Sequence, residues 1–312
     1  MVRHPATPLA SVSVAREETP LTAADAYHAR FRRVLDYVDA HLEGDLSVER
    51  LCSVAAFSKF HFHKQFSELY GLGVHKYVQL VRMKRASYQL AFRTQPRIID
   101  VALASGFESH EGFARAFKKT VGQSPIEFRA RPEWEPWHAT YQRLRQLRSQ
   151  HMKPNTAAFE VRIVDFPETR VAALTHRGPA HSVEDSIAKF IAWRKENRLP
   201  PKVSATFNIH YDDPAQTAPE NFRLGMCAAT DRPVTANSYG VVADIIPGGR
   251  CAVLRHVGSD DHLGASIRHL YAEWLPESGE ELRDFPLFGQ RISFFPDVPE
   301  HEACSDLFLP LK

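Results

Sequence analysis

Apolar residues in the first half of the chain recur at intervals of three and four positions. One such stripe, between Ala23 and Glu43, consists of Phe31, Val34, Leu35, Val38 and Leu42. This spacing places the five side chains on one face of a helix. The same spacing returns between Val74 and Phe92, which predicts a second long amphipathic helix there.

Two segments on either side of that second helix resemble one another. They read VAAFSKFHFHKQFSELYG and LASGFESHEGFARAFKKTVG, and matching residues lie 51 positions apart. The matches are Phe62 with Phe113, Lys64 with Arg115, Phe66 with Phe117, and Gly71 with Gly122. Each copy predicts a short helix (Val48–Val54 or Ile99–Ala104), a turn, and a second helix capped by Ser58 or Ser109. The chain therefore contains two predicted helix-turn-helix units, and the helix between them sets their spacing.

The second half of the chain alternates apolar and polar residues, as in FEVRIVDF and RVAALTHR, which is the period of half-buried strands. It also repeats itself at an offset of 80, where VDFPETRVAALTHRGP matches ADIIPGGRCAVLRHVGS. Each copy continues into a segment with helical periodicity. Two strand-strand-helix units are predicted, paired about a pseudo-twofold axis with a ligand cleft between them.

Together these patterns predict a multidomain protein, with an all-α double helix-turn-helix domain followed by an α/β (α+β) domain. We expect a disordered tail at residues 1–20 and a helical DNA-binding domain at 21–131, whose two units span about 46–71 and 97–122. Pro132 and Pro136 interrupt the periodicity, so a basic, weakly helical linker is expected at 132–157. The second domain then takes residues 158–312.

Charge divides along the same boundary. Residues 25–131 carry 17 Lys or Arg against 11 Asp or Glu, whereas residues 158–312 carry 16 against 22. The basic half suggests a polyanionic partner, such as double-stranded DNA. Because the sequence has neither a long apolar run nor a signal-peptide pattern, a cytoplasmic location without membrane attachment is expected.

The second helix of each unit has the features needed to read a DNA major groove. Its outward positions in the first copy include Phe60, His63 and Lys64, and those in the second copy are His110, Glu111, Ala114, Arg115 and Lys118. Arg115 can donate twice to one guanine, and Lys118 is suited to phosphate. Glu111 either accepts from a cytosine amino group or only discourages wrong sites. Two such helices about one DNA turn apart, roughly 34 Å, would enter successive grooves. The alternative is a solvated charged face of a small helical bundle.

The segment GFESHEGFARAFKKTVGQSPIEFR resembles the signature of the AraC-type transcription regulators, and LSVERLCSVAAFSKFHFHKQFSELYG is similar to the first helix-turn-helix of that family. The resemblance covers Ala23 to Arg131. It implies base-reading positions at Phe60, His63, Lys64, His110, Glu111, Ala114 and Arg115. Phe60 stands where relatives often carry Trp, and Glu111 stands where an amide is common. The DNA sequence preferred by this protein is therefore expected to differ from those of its relatives.

From Phe159 onward the chain resembles the GyrI-like effector-binding domain, through IPGGRCAVLRHVG, LYAEWLPESGEELRDFPLF and DLFLPLK. This order of domains is similar to the Rob-like branch of the AraC/XylS family. It implies a cleft for small, often hydrophobic or cationic, molecules. The acidic pocket residue common in relatives falls at Gly289 here, and Glu300, Glu302 or Asp306 are the candidates to replace it. The resemblance thus leaves the charge of the effector open.

Four aromatic residues of this second domain are candidates to line the cleft. They are Trp193, Tyr211, Trp274 and Phe288, and the alternative for each is packing in a core. The expected partners are DNA, a small-molecule effector and RNA polymerase, with the protein a monomer or weak dimer and no cofactor or metal. The competing hypothesis is a GyrI-like small-molecule hydrolase or sequestration protein with a vestigial DNA-binding half. No common hydrolase or nucleotide-binding motif occurs in the sequence to support an enzyme.

Overall fold

The computed structural model describes residues 22–152 and 159–312. The predicted tail at 1–20 lies outside the described residues. The first half is all helical: α1 (Ala23–Ala40), α2 (Val48–Ala55), α3 (Lys59–Tyr70), α4 (Val74–Phe92), α5 (Ile98–Ala104), α6 (His110–Val121), α7 (Pro125–Ala130) and α8 (Trp134–His151). Helix α4 has the bounds predicted from its apolar spacing, and it lies between the two helix-turn-helix units α2–α3 and α5–α6.

The two units turn in the same way, although different residues make the turn. Ala56 has a φ of 53° and Gly106 has a φ of 74°, so both occupy the left-handed region. The cap predictions differ in outcome, because Ser109 accepts a hydrogen bond from the Gly112 amide, whereas Ser58 is at the N-cap position but makes no side-chain cap bond. The αL turn, rather than the serine, is therefore the shared feature of the two units.

Phenylalanines hold both units to a common core. Phe62 and Phe66 of α3 are fully buried beside Phe31 of α1, and Phe113 and Phe117 of α6 are buried as their counterparts. These residues are the inward set that the repeat of 51 predicted. Their burial leaves the opposite faces of α3 and α6 exposed to solvent.

Helix α8 departs from the linker expected at 132–157. Residues 134–151 form a helix with one buried face, made of Trp134, Trp137, Tyr141, Leu144, Leu147 and Arg148. The sequence obscured this face because it includes an arginine and because polar residues dominate the rest of the helix. The first part of the expected linker is therefore a packed element of the helical half, and residues 153–157 lie outside the described residues.

The second half contains a single eight-stranded antiparallel sheet among its described residues. The strands are β1 (Val161–Phe166), β2 (Thr169–Arg177), β3 (Thr206–His210), β4 (Arg223–Ala229), β5 (Val242–Ile246), β6 (Gly249–Val257), β7 (Phe288–Ser293) and β8 (Cys304–Pro310), in the order β1-β6-β8-β7-β3-β4-β2-β5. Helix α9 (Val183–Glu196) follows β2. Helix α10 (Leu263–Arg268) follows β6 and continues through a π-helical turn into α11 (Leu275–Ser278). This arrangement confirms the predicted fold class.

The two strand-strand-helix repeats exchange their first strands. β1 of the first repeat pairs with β6 of the second, and β5 of the second pairs with β2 of the first. The second strand of each repeat is tied to its own helix in the same way, with His176 Nδ1 at 2.9 Å from Ser186 Oγ and His256 Nδ1 at 2.9 Å from Ser266 Oγ. These equivalent contacts lie 80 residues apart, as the pseudo-twofold relation requires.

The sheet curls so that its helix-free face encloses a core. The rings of Phe166 on β1 and Phe207 on β3 are 6.0 Å apart, although three strands separate them in the sheet. Phe288 and Phe308 stack within the same core at 5.0 Å. The helices cover the other face of the sheet. None of the described helices is both long and apolar enough to cross a membrane.

Candidate DNA-binding face and effector cavity

The predicted base-reading residues lie on the outer faces of α3 and α6. Phe60 has 92% of its surface exposed, which is unusual because phenylalanine side chains are mostly buried in folded proteins. His63, Lys64, Glu111, Arg115 and Lys118 are exposed, and His110 and Ala114 are partly exposed. The structure thus brings each set together on one helix face and presents it to solvent.

The charged groups on these two faces differ in their partners. Lys64 forms an ion pair of 2.8 Å with Glu68 one turn later on α3. Within the described part of the chain, no hydrogen bond or ion pair engages the side chain of Arg115, which lies on the exposed face of α6. Its guanidinium is therefore available to a guanine or a phosphate without the loss of an internal contact.

A cavity of about 640 Å³ lies between the helical half and the sheet, and we call it the interdomain cavity. The end of α4 supplies one wall through Tyr88 and Phe92, and α9 supplies a second through Phe190 and Arg194. Asn208 of β3 and Arg291 of β7 lie on the wall that the sheet supplies. A volume in this range suits a small organic molecule.

The four aromatic residues expected to line the cleft lie in different places. Trp193 is buried and stacks on Phe190, behind the cavity wall. Phe288 is buried on the opposite face of the sheet, and Tyr211 packs against that same core. Trp274 ends the π-helical turn after α10 and packs against a separate buried cluster that includes Leu270. The structure does not bring these four together, because successive strand residues face opposite sides of a sheet and each repeat has its own core.

The carboxylates considered as pocket acids have other partners. Glu300 is buried at the boundary between the two halves, Asp306 makes a bidentate pair with Arg255, and Glu302 is exposed. Gly289 pairs across the sheet with Asn208, so its missing side chain would face the cavity side. None of the three carboxylates lines the cavity.

A buried set of charges, the interdomain ionic cluster, joins the two halves. It comprises Lys84 of α4, Arg148 of α8, Asp39 of α1, and Asp261 and Glu300 of the second half. Burial opposes ionisation of Glu300, but the cations of Lys84 and Arg148 outweigh it and lower the pKa of this carboxyl. Burial likewise opposes the charged form of Lys84, but Asp261 and Glu300 outweigh it and raise the pKa of the ammonium.

Two more contacts cross the boundary near the cavity. Arg93, directly after α4, makes a bidentate pair with Asp297 at 2.6 and 2.8 Å. Tyr88 donates to Glu184 of α9 at 3.4 Å. Sequence inspection treated Val74–Phe92 only as a spacing helix and gave no role to these residues. The sequence feature that could have indicated these contacts is the cluster of charged and aromatic residues at the end of the amphipathic helix.

Comparison with known proteins agrees with this division of the chain. Residues 51–131 match a helix-turn-helix domain model, and residues 159–312 match the GyrI-like small molecule binding domain. The probable transcriptional regulator YgiV of Escherichia coli (strain K12) is 41% identical over 153 residues, which are 49% of this chain and 96% of that protein. The HTH-type transcriptional regulator YbfP of Bacillus subtilis (strain 168) is 38% identical over 103 residues, 33% of this chain and 35% of YbfP.

The transcriptional regulator Rob of Salmonella typhimurium is 32% identical over 103 residues, again 33% of this chain and 35% of Rob. An exposed pair of helix-turn-helix units followed by a ligand-binding domain defines a class of DNA-binding transcription regulators. The chain belongs to the AraC-type family of these regulators, in its Rob-like branch with a C-terminal GyrI-like domain.

Proposed function

We propose that this regulator binds specific DNA sites through α3 and α6 and senses a small molecule in the interdomain cavity. The observation that carries this proposal is that α4 forms one wall of the cavity while it also joins the two helix-turn-helix units. A molecule in the cavity touches the helix that sets the spacing of the two recognition helices. Sensing and DNA binding therefore share one structural element.

Sequence reading is assigned to the exposed residues of both recognition helices. These are Phe60, His63 and Lys64 on α3, and His110, Glu111, Ala114, Arg115 and Lys118 on α6. Their exposure and the basic charge of the helical half support this assignment. Because both units belong to one chain, a monomer is sufficient for binding to two successive grooves.

Coupling requires the effector to bind two states of the protein with different affinity. Contacts of the effector with Tyr88 and Phe92 would favour one position of α4 relative to the sheet, and hence one arrangement of α3 and α6. The same change would alter the surface that the DNA-bound protein offers to RNA polymerase, which we propose as its partner in a cytoplasmic regulatory complex.

A hydrolase is the less favoured alternative. Hydrolysis in the cavity would need a carboxylate free to act as a base, and the two that line the cavity, Asp260 and Asp297, are ion-paired with Arg291 and Arg93. We therefore propose binding without turnover of the ligand.

Selection of bound fragments from genomic DNA by the full chain tests the proposal. We expect recovery of a shared sequence motif, whose affinity falls steeply with added salt but stays above that of unrelated DNA. Retention of every fragment with equal affinity would contradict sequence-specific regulation. A cavity-filling variant, Ile191→Trp, is expected to leave DNA binding in place and abolish its response to an effector.

A further inference from the structure

The interdomain cavity carries an excess of positive charge. Among the described residues that line it, two are carboxylates, Asp260 and Asp297, and five are cationic: Arg93, Arg194, Lys195, Arg198 and Arg291. Its other walls are largely apolar, from residues such as Phe92, Ile187 and Phe190. The lining therefore offers its occupant a largely apolar surface together with a set of cationic groups.

Arg194 is the cation whose surroundings are most informative. Only 5% of its surface is exposed, and its guanidinium donates to the carbonyl oxygens of Leu199 at 2.7 Å and Ser204 at 2.8 Å, and to Thr206 Oγ1 at 2.5 Å. All three acceptors are neutral, and among the described residues this side chain forms no ion pair with a carboxylate. Burial lowers the pKa of Arg194 to about 10.

A buried guanidinium without a counter-ion is unfavourable unless a partner compensates for its lost hydration. The three neutral acceptors leave part of its five-donor fork unused. Arg194 is one of the residues that line the cavity, so an anionic group bound there would lie near that charge.

The other charges of the cavity reinforce this asymmetry. Asp297 is held by Arg93 at 2.6 Å and Asp260 by Arg291 at 2.9 Å, so each carboxylate already has a cation. Lys195 and Arg198 are exposed at the rim, and the one side-chain contact of Lys195 among the described residues is long, at 3.5 Å to Thr94. A cationic ligand would find no uncommitted carboxylate on this lining, whereas an anionic ligand would find uncompensated cations.

We propose that the effector is an amphipathic anion, whose apolar body fills the cavity between α4 and α9 and whose carboxylate or equivalent group binds Arg194. This inference rests on the proposed function, because it takes the interdomain cavity as the effector site. Lys195 and Arg198 attract the anion at the rim, and Arg194 fixes its orientation.

Three probes with one skeleton and different charge test the inference: biphenyl-4-acetate, 2-(biphenyl-4-yl)ethanol and 2-(biphenyl-4-yl)ethylammonium. Their affinities for the full chain are measured by calorimetry at neutral pH. We expect the carboxylate to bind at least about tenfold more tightly than the ammonium, with the alcohol between them. Ile191→Trp, which fills the cavity, is expected to abolish binding of all three.

Two variants separate the charge of Arg194 from its role in the fold. Arg194→Met is expected to remove the preference for the carboxylate. Because Arg194 also supports the turn at Leu199 and Ser204, the exposed double variant Lys195→Gln/Arg198→Gln is measured as well. It is expected to lower the affinity for the carboxylate probe about threefold to tenfold. Lys189→Gln/Lys202→Gln removes the same charge from exposed positions outside the cavity lining and is the matched control.

The outcomes distinguish the two proposals. Equal or tighter binding of the ammonium, abolished by Ile191→Trp, overturns the anionic class and leaves the cavity as the effector site. Binding of none of the three probes, or binding that Ile191→Trp does not change, overturns the cavity itself. Equal weakening by the rim variant and by its matched control shows a general charge effect and also overturns the assignment of the anion to this site.

Discussion

The ammonium of Lys84 lies 2.7 Å from Oε1 of Glu300, and both side chains are almost completely buried. Lys84 belongs to the helix between the two helix-turn-helix units, and Glu300 precedes the last strand of the effector domain. Ser259 also donates to this carboxylate, at 2.7 Å. A buried, fully paired contact of this kind fixes the position of α4 relative to the sheet, because a displaced partner would leave a charge unpaired in the interior.

Lys84→Met is expected to destabilise the protein by about 3 to 5 kcal/mol, since it leaves Glu300 and Asp261 short of a cation in a buried site. Urea unfolding at neutral pH measures the loss. The double variant Lys84→Met/Glu300→Gln should recover part of it. Lys312→Met, which removes the cation of an exposed pair with Glu281, is the control and should change stability by less than about 1 kcal/mol. Equal effects of the buried and exposed substitutions would contradict the role given to the cluster.

Acidification should weaken the same contact in a defined pH range. The pKa of Glu300 is lowered in the folded protein, so its stabilisation is complete above its ordinary pKa of about 4.3 and is lost as the pH falls through the lower folded value. The pKa of Lys84 is raised, so its share is lost only when the pH rises above about 10.4. The stability difference between the wild type and Glu300→Gln, followed by urea unfolding, should be constant near neutrality and shrink in acid. A stability difference that already shrank between neutrality and mild acid would contradict the lowered pKa of Glu300 in the folded protein.

Local patterns were sufficient to predict much of the fold. Helical spacing located α4, and the offset of 51 identified both helix-turn-helix units, because these depend on residues close in sequence. The offset of 80 likewise placed His176 and His256 at matching positions of the two repeats, and the structure gives both the same contact with a serine. Alternation of apolar residues located strands but not their partners, so the exchange of β1 and β5 between repeats was not predictable.

The cavity could not be predicted for a related reason. Its walls come from α4, α9 and two distant strands, and the role of Arg194 depends on which neutral acceptors surround it after folding. Trp193 and Phe288 were chosen for their aromatic character, but side-chain direction and not residue type decides which residue faces a cavity. The outward residues of α3 and α6, which we propose to read bases, were accessible to sequence reasoning because helix periodicity alone separates inward from outward positions.

Replacement of Arg115 by alanine is expected to cost about 1 to 3 kcal/mol of specific DNA binding and to relax selection at one base pair. The physical reason is the loss of a bidentate donor that no internal contact restrains. Gel-shift titration against a selected site and its single-base variants measures both effects. Arg162→Ala, an exposed arginine on β1, is the control and should retain affinity and preference. Unchanged binding by the Arg115 variant would show that α6 does not read bases at this position.

Glu111→Gln is expected to change sequence preference more than affinity. A carboxylate among donors on α6 can accept from a cytosine amino group but is repelled by phosphate, whereas an amide both donates and accepts and therefore suits adenine. Repeated selection of sites with the wild type and the variant should show a shift at one base pair, away from cytosine and towards adenine, with slightly tighter binding to unrelated DNA. Glu108→Gln makes the same change in charge in the turn before α6 and serves as the control. If both variants tightened binding equally and selected the same sites as the wild type, Glu111 would act only as a general repulsive charge.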